Sequence, residues 1–408
     1  MKLDLNYVRS CFPAFQEEVG ARTAFLENAS GSYMVSHAIN RLMAYSTVRV
    51  QPYGFNDILA RAGEQMDAGK NGMAGMLGVP SDNVYFGPST TQNINTLAIA
   101  AAKLMTPGSE IIVSEQEHEA NAGAWERLCQ RTGGKLTIWP INPATTELDL
   151  DQLKKLLNPK VRIVCVTHSS NVLGTINPIA DIKALCSKQG ARLVVDGVSY
   201  APHNWPDLPN LNVDAYCFSA YKTFATHVGV MYVSSDFVGE LDPQCHYFLT
   251  ERQSKLMDAA GPDHASIAAL AGLSDYMGES YLHHFGEDSM DLHNKTKRVY
   301  ELMHTHEQNL CQLLLDGLQS LPLHVVGRSS MEGREANLAI LSDTHSSDEL
   351  SRMLAERGVA ANYGNFYATR LMDALDINLQ SGILRLSLSH YNSENDIERV
   401  VAALKDIH

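Results

Sequence analysis

Basic residues are scarce in this chain. It has 32 Lys and Arg against 46 Asp and Glu over 408 residues, a formal net charge of −14 at pH 7. No basic patch stands out against that background, which argues against a nucleic-acid partner. Long apolar runs are missing too. Every hydrophobic stretch is short and broken by charge or glycine, so no transmembrane helix and no membrane partner are expected. The opening Met1-Lys2-Leu3-Asp4-Leu5-Asn6 lacks the apolar core of a signal peptide. The seven cysteines are an odd number, widely scattered, with no CxxC pair. Reduced thiols and a cytoplasmic location are the expectation. There is no GxxxxGK[ST], so nucleotide hydrolysis is not supported. There is no HExxH either, because Ala122 stands where the second histidine would be. His283-His284 and His304/His306 lack a supporting constellation and read as helix-surface histidines rather than metal ligands. No internal repeat and no low-complexity segment is found.

What the chain does have is alternation. Short apolar runs at Asn83–Phe86, Glu110–Ser114, Lys135–Ile141, Val161–Thr167, Arg192–Asp196, Ala215–Ser219 and Gly229–Val233 read as strands. Helical stretches at Thr91–Leu104, Leu150–Leu157 and Ile179–Gln189 lie between them. This predicts an α/β fold with a large, mostly parallel seven-stranded sheet covered on both faces. Residues 264 to 320 read as helical. The remainder alternates again: strand Asn337–Leu341, helix Ser347–Glu356, strands Val359–Asn362 and Ile383–Leu388, helix Glu394–Lys405. The division expected is an arm at 1–20, a large domain at 21–290 and a small α+β domain at 291–408, to which N-terminal residues could add.

In open α/β sheets ligands bind at the carboxyl ends of the strands. Thr167-His168, Asp196 and Ser219 sit at such ends. Lys222 follows in Ser219-Ala220-Tyr221-Lys222, between two strand-like runs that would hold it still. Ser89-Thr90-Thr91 opens a helix. Its hydroxyls could merely cap that helix, or could bind a phosphate together with the free backbone N–H groups. His118, in Glu117-His118-Glu119-Ala120-Asn121, could stack on a ring and carry protons, or lie in an acidic surface loop. Asn171, in Ser170-Asn171-Val172-Leu173-Gly174-Thr175, could be turn chemistry or a donor to a ligand oxygen. Singly each signal is weak. Together, a fixed amine, a fixed carboxylate and a phosphate-sized nest are what pyridoxal 5′-phosphate (PLP) requires.

These residues resemble the class V aminotransferase / cysteine desulfurase family of fold-type I PLP enzymes. The resemblance runs from Ala24-Phe25-Leu26-Glu27-Asn28-Ala29-Ser30 to Leu386-Ser387-Leu388-Ser389-His390-Tyr391-Asn392. It implies that Lys222 bonds the cofactor covalently, that His118 stacks on its ring and that Asp196 pairs with the pyridine nitrogen. It implies Ser89, Thr90, Thr91 and Ser219 at the phosphate, with Asn171 and Ser199 near the phenolic oxygen. Tyr221 stands in place of the family's usual histidine and could still reach the phosphate. Arg385, Asn365 and Tyr367 are the implied substrate-binding residues, Arg385 gripping an α-carboxylate. A homodimer is implied as well. The chain departs from the desulfurases where Val198-Ser199 replace Ala-Gln after the Asp-Gly. It departs again in the loop Asn362-Tyr363-Gly364-Asn365-Phe366-Tyr367-Ala368, where Tyr367 stands in place of the nucleophilic cysteine. Cys245 is the one cysteine left as an outside candidate.

The expectation is therefore a PLP-dependent enzyme acting on a small amino acid. Amino transfer comes first and carbon–sulfur lyase chemistry second. A catalytically idle PLP-fold binding protein is the reading from a different class.

Overall fold

A computed structural model describes residues 1–48, 50–286 and 289–408. Its principal strands are β1 (Val84–Gly87), β2 (Glu110–Ser114), β3 (Lys135–Trp139), β4 (Val161–Thr167), β5 (Arg192–Asp196), β6 (Ala215–Ser219) and β7 (Gly229–Val233). They form one seven-stranded sheet in the order β1-β7-β6-β5-β4-β2-β3. The pairings β3–β2, β2–β4, β4–β5 and β5–β6 are parallel. Only β7 runs against its neighbours, β6 and β1.

The strands are apolar at nearly every position because both faces are covered. Ile112, Val164, Val166, Leu193, Val195, Tyr216 and Phe218 pack into one core. The intervening Ile111, Val113, Ile163, Cys165, Val194, Ala215 and Cys217 pack into another, beneath helices α1 (Thr90–Ala100) and α2 (Glu119–Thr132). The period-two split between two fully buried sets is what places strand ends, rather than strand faces, in the open.

The C-terminal part builds a four-stranded antiparallel sheet from β8 (Leu323–Val326), β9 (Asn337–Ser342), β10 (Asn362–Gly364) and β11 (Ile383–Ser387), in the order β8-β9-β11-β10. Its core includes Leu338, Ile340, Leu384 and Leu386 together with Ala24 and Leu26 from the far end of the sequence. Ala24–Phe25 pairs in parallel with Val359–Ala360 and ties the two ends together.

Several expected boundaries move. The strand expected to Ile141 stops at Trp139, because Pro140 offers no N–H to a ladder. Ile141–Asn142 instead forms a small hairpin with Glu147–Leu148. The helix expected to Leu104 becomes a 3-10 turn after Ala100. The strand expected at Val359–Asn362 is two short strands in two different sheets. The helical span expected over 264–320 is three helices, His264–Ala268, Leu270–Phe285 and Leu292–Leu318. Gly286, left-handed at φ 70°, ends the second of them, and 287–288 lie outside the described residues. No helix among the described residues is long and apolar enough to cross a membrane.

Candidate active site

The carboxyl ends of β2, β4, β5 and β6 converge on one cavity of about 180 Å³. Ser89, Thr90, Thr91, His118, Asn171, Asp196, Ser199, Ser219, Tyr221 and Lys222 all line it. Thus ten of the residues singled out from the sequence meet at one place.

Lys222 lies in the 3-10 turn Ala220–Lys222 that directly follows β6, at the start of the connection to β7. It is buried, and among the described residues its amine has no hydrogen bond or ion pair; it lies 5.9 Å from the centroid of the Tyr221 ring. Burial lowers its pKa to about 8, helped by the Arg385 charge and opposed by Asp196 and Glu27. The amine is therefore neutral in a useful fraction near pH 8 and can act as a nucleophile or base.

Asp196 closes β5. Its Oδ1 accepts a hydrogen bond from Val198 N–H at 2.9 Å. Burial raises its carboxyl to about 6, against the pull of that bond and of Lys222. A buried carboxylate with this little compensation is suited to a cationic partner in the cavity.

His118 is the N-cap of α2, and its Nδ1 accepts from Ala120 N–H at 3.0 Å. That bond assigns the ring proton to Nε2. Burial, then the charges of Lys222 and Arg385, hold the ring neutral with a pKa of about 4.

The residue that fixes His118 is one the sequence reading left without a role. Glu117 is fully buried and accepts from Ser114 Oγ, from Asn121 Nδ2 at 2.7 Å and from Thr167 N–H at 2.7 Å. It ties the ends of β2 and β4 to the start of α2. Burial nevertheless raises its carboxyl to about 7. His227 was also missed. It lines the cavity, stacks on Tyr221 with ring centroids 4.6 Å apart, and bonds Pro88 O at 3.0 Å. No sequence pattern marked it, since the contact arises only when β7 returns beside the Ser89 turn. His168 ends β4 but turns away, stacked on Tyr200 and bonded to Tyr216 Oη at 2.8 Å.

At the other end of the cavity Ser89 caps α1 through Gln92 N–H at 3.1 Å. Thr90 Oγ1 lies 2.7 Å from Ser219 Oγ. Gly229 is required here, because a Cβ on it would fall 2.3 Å from the carbonyl carbon of Ser89. The strand thus runs hard against the turn and gathers hydroxyls and free N–H groups at one helix start. A phosphate at that end, a pyridine nitrogen beside Asp196 and an aldehyde within reach of Lys222 match the donor set of the cavity, so its residues fit PLP.

The three implied substrate residues are placed differently. Arg385, on β11, is buried and does not line the cavity. It donates to Asn171 O at 3.0 Å, to Ser30 Oγ at 2.6 Å and to Glu27 Oε1 at 3.1 Å, and the Phe366 ring lies 3.7 Å over its guanidinium. Asn365 turns into its own loop, accepting from Tyr367 N–H at 3.0 Å. Tyr367 is exposed, its ring centroid 5.2 Å from that of His118, and its carbonyl accepts from Glu119 N–H at 2.7 Å. Asn171 Nδ2 grips Phe366 O at 2.8 Å, and Arg370 pairs with Glu119 and Glu126. The loop is thereby fastened to the start of α2. Six of the seven cysteines are buried in cores; Cys245 is half-buried, and no cysteine lines the cavity.

The family model described as Aminotransferase class-V matches residues 24–400. A cysteine desulfurase of Cronobacter sakazakii is 30% identical over 100% of this chain and 99% of its own length. An aminotransferase-like protein of Gibberella zeae is 29% identical over 98% of both chains. The apo structure of a cysteine desulfurase from Thermococcus onnurineus NA1 superposes with a TM-score of 0.88 at 20% identity, covering 100% of this chain and 98% of that one.

Proposed function

The chain belongs to the class V aminotransferase family and is a PLP-dependent enzyme, and from that premise we propose that it acts on a small amino acid as an aminotransferase. The observation that carries this is the buried, unpaired Lys222 amine facing a cavity that contains Asp196 but no thiol.

PLP, when bound, supplies a sink for negative charge developing on the substrate Cα. Lys222 would hold the cofactor, and its lowered pKa suits its amine to take a proton from the substrate Cα and return it. Asp196 would pair with the ring nitrogen and favour its protonated form. Thr90, Thr91, Ser89 and Ser219 hold the phosphate at the start of α1, with Tyr221 beside them. His118, neutral and fixed by Ala120 N–H, offers its ring face and an Nε2–H. Asn171 and Ser199 serve the phenolic oxygen, and Arg385 anchors the substrate carboxylate, with Asn365 and Tyr367 shaping the loop over it. A homodimer follows the family pattern and is tested by sedimentation of the holoenzyme.

Carbon–sulfur lyase chemistry is the second reading, because the same Cα proton transfer serves β-elimination and the bacterial relative is named a cysteine desulfurase. Incubation with a panel of amino acids separates the two. Stoichiometric keto acid without ammonia supports amino transfer. Pyruvate and ammonia with sulfide from cysteine, or with thiocysteine from cystine, make the lyase reading the correct one, and no spectral change with any amino acid overturns both.

A further inference from the structure

Arg385 is already neutralised from within the chain. Its Nη2 donates to Glu27 Oε1 at 3.1 Å and to Ser30 Oγ, and Ser30 in turn donates to the same Glu27 oxygen. Glu27 is largely buried, at 14% side-chain exposure, and Arg385 is at 2%. The pair is largely shielded from water, and the Phe366 ring covers one guanidinium face. Phe366 and Tyr367 hold this cover with positive φ angles of 48° and 59°. Two buried atoms of the pair have no partner: Arg385 Nε and Glu27 Oε2. A guanidinium fork binds a carboxylate best through two N–H groups. Here only one is spent on Glu27, so the pair is incomplete on both sides.

An incoming α-carboxylate cannot simply be added. One guanidinium facing two buried carboxylates leaves an uncompensated negative charge in a dry site. We propose that Glu27 is a specificity-determining residue, a built-in carboxylate that competes with the substrate's for Arg385 and is exchanged for it on binding. This rests on the reading of the substrate as an amino acid. The competition selects amino acids that make contacts beyond the carboxylate, since the simplest ones recover only the pairing that Glu27 gives up. Glu27 does not line the cofactor cavity; it acts mainly through Arg385, and its charge also raises the Lys222 pKa.

The test uses acetate and propionate binding to the cofactor-free protein by titration calorimetry, which requires no turnover. Glu27→Gln keeps an acceptor oxygen for Arg385 and Ser30 and removes only the charge. It should tighten acetate and propionate by about tenfold or more, the size expected when one like charge leaves a partly buried site. Arg385→Gln should abolish the same binding and so locates it. In the holoenzyme Glu27→Gln should lower KM for an amino-acid substrate more than it changes kcat. A folded Glu27→Gln protein with unchanged or weaker carboxylate affinity overturns the proposal and leaves Glu27 a scaffold for Arg385. If that variant does not fold, Glu27→Asp decides: withdrawing the carboxylate by one methylene should also tighten binding, and no change overturns the idea. Should carboxylates bind as expected while no amino acid is turned over, the functional reading falls and the Glu27 competition stands.

Discussion

Asp196 should be a liability to stability without the cofactor, one that PLP binding offsets. Burial raises its carboxyl from the ordinary 3.8 to about 6. Between these values the native state holds the proton more tightly than the unfolded chain does. Stability therefore falls as pH rises from about 4 to about 6 and stays reduced above that window. The difference corresponds to roughly 3 kcal/mol at pH 7.5. Asp196→Asn keeps the oxygen that accepts from Val198 N–H and removes the ionisation. For a chain of 408 residues, unfolding entropy per residue converts that energy to a rise in Tm of about 3 °C. Differential scanning calorimetry of cofactor-free wild type and variant, at pH 7.5 and again near pH 4, checks it. The variant should be the more stable at pH 7.5, with the gap closing in acid. With PLP present the gap should narrow or close, because the variant loses a charge-assisted contact to the ring worth about 1.5–3 kcal/mol, or about 10- to 150-fold in PLP affinity. A cofactor-free variant less stable than wild type at pH 7.5, or equal PLP affinity in the two, refutes the reasoning.

Borohydride reduction of the holoenzyme should leave the pyridoxyl group on Lys222, and a peptide map that finds it on another lysine would sink that assignment. Thr91→Ala should raise the PLP dissociation constant about tenfold or more, since a charge-assisted hydrogen bond contributes about 1.5–3 kcal/mol; an unaltered constant would make the Ser89-Thr90-Thr91 segment only a helix cap. Incubation with cysteine and thiol-trapping mass spectrometry should find no persulfide, because no cysteine lines the cavity and a phenol at Tyr367 cannot carry sulfur. A persulfide on any cysteine, Cys245 included, whose loss by mutation to serine also removes activity, would reverse that conclusion.

The sheet was legible because its strands are short apolar runs separated by helices, and their carboxyl ends carry His118, Asn171, Asp196 and Ser219 in sequence order. A parallel sheet brings those ends to one edge whatever the details of packing, so these residues could be named from the chain alone. Lys222 was legible for a related reason: it follows a buried strand directly, in a 3-10 turn that leaves the side chain little freedom. What needed the tertiary structure were contacts between segments far apart in the chain. Glu117 reads as one acid in an acidic loop, yet its backbone and side-chain partners come from β2, β4 and α2. His227 reaches Tyr221 only because β7 turns back against Ser89. The lone charge of Arg385 in an apolar strand called for a partner and the resemblance implied a substrate carboxylate, but Glu27, the partner within the chain, lies 358 residues away in the sequence. Local pattern fixes which face or end of an element a residue occupies. Which charges neutralise one another inside a dry interior depends on distances set by the closed fold, and at 3 Å those distances decide whether an arginine is free to hold a ligand.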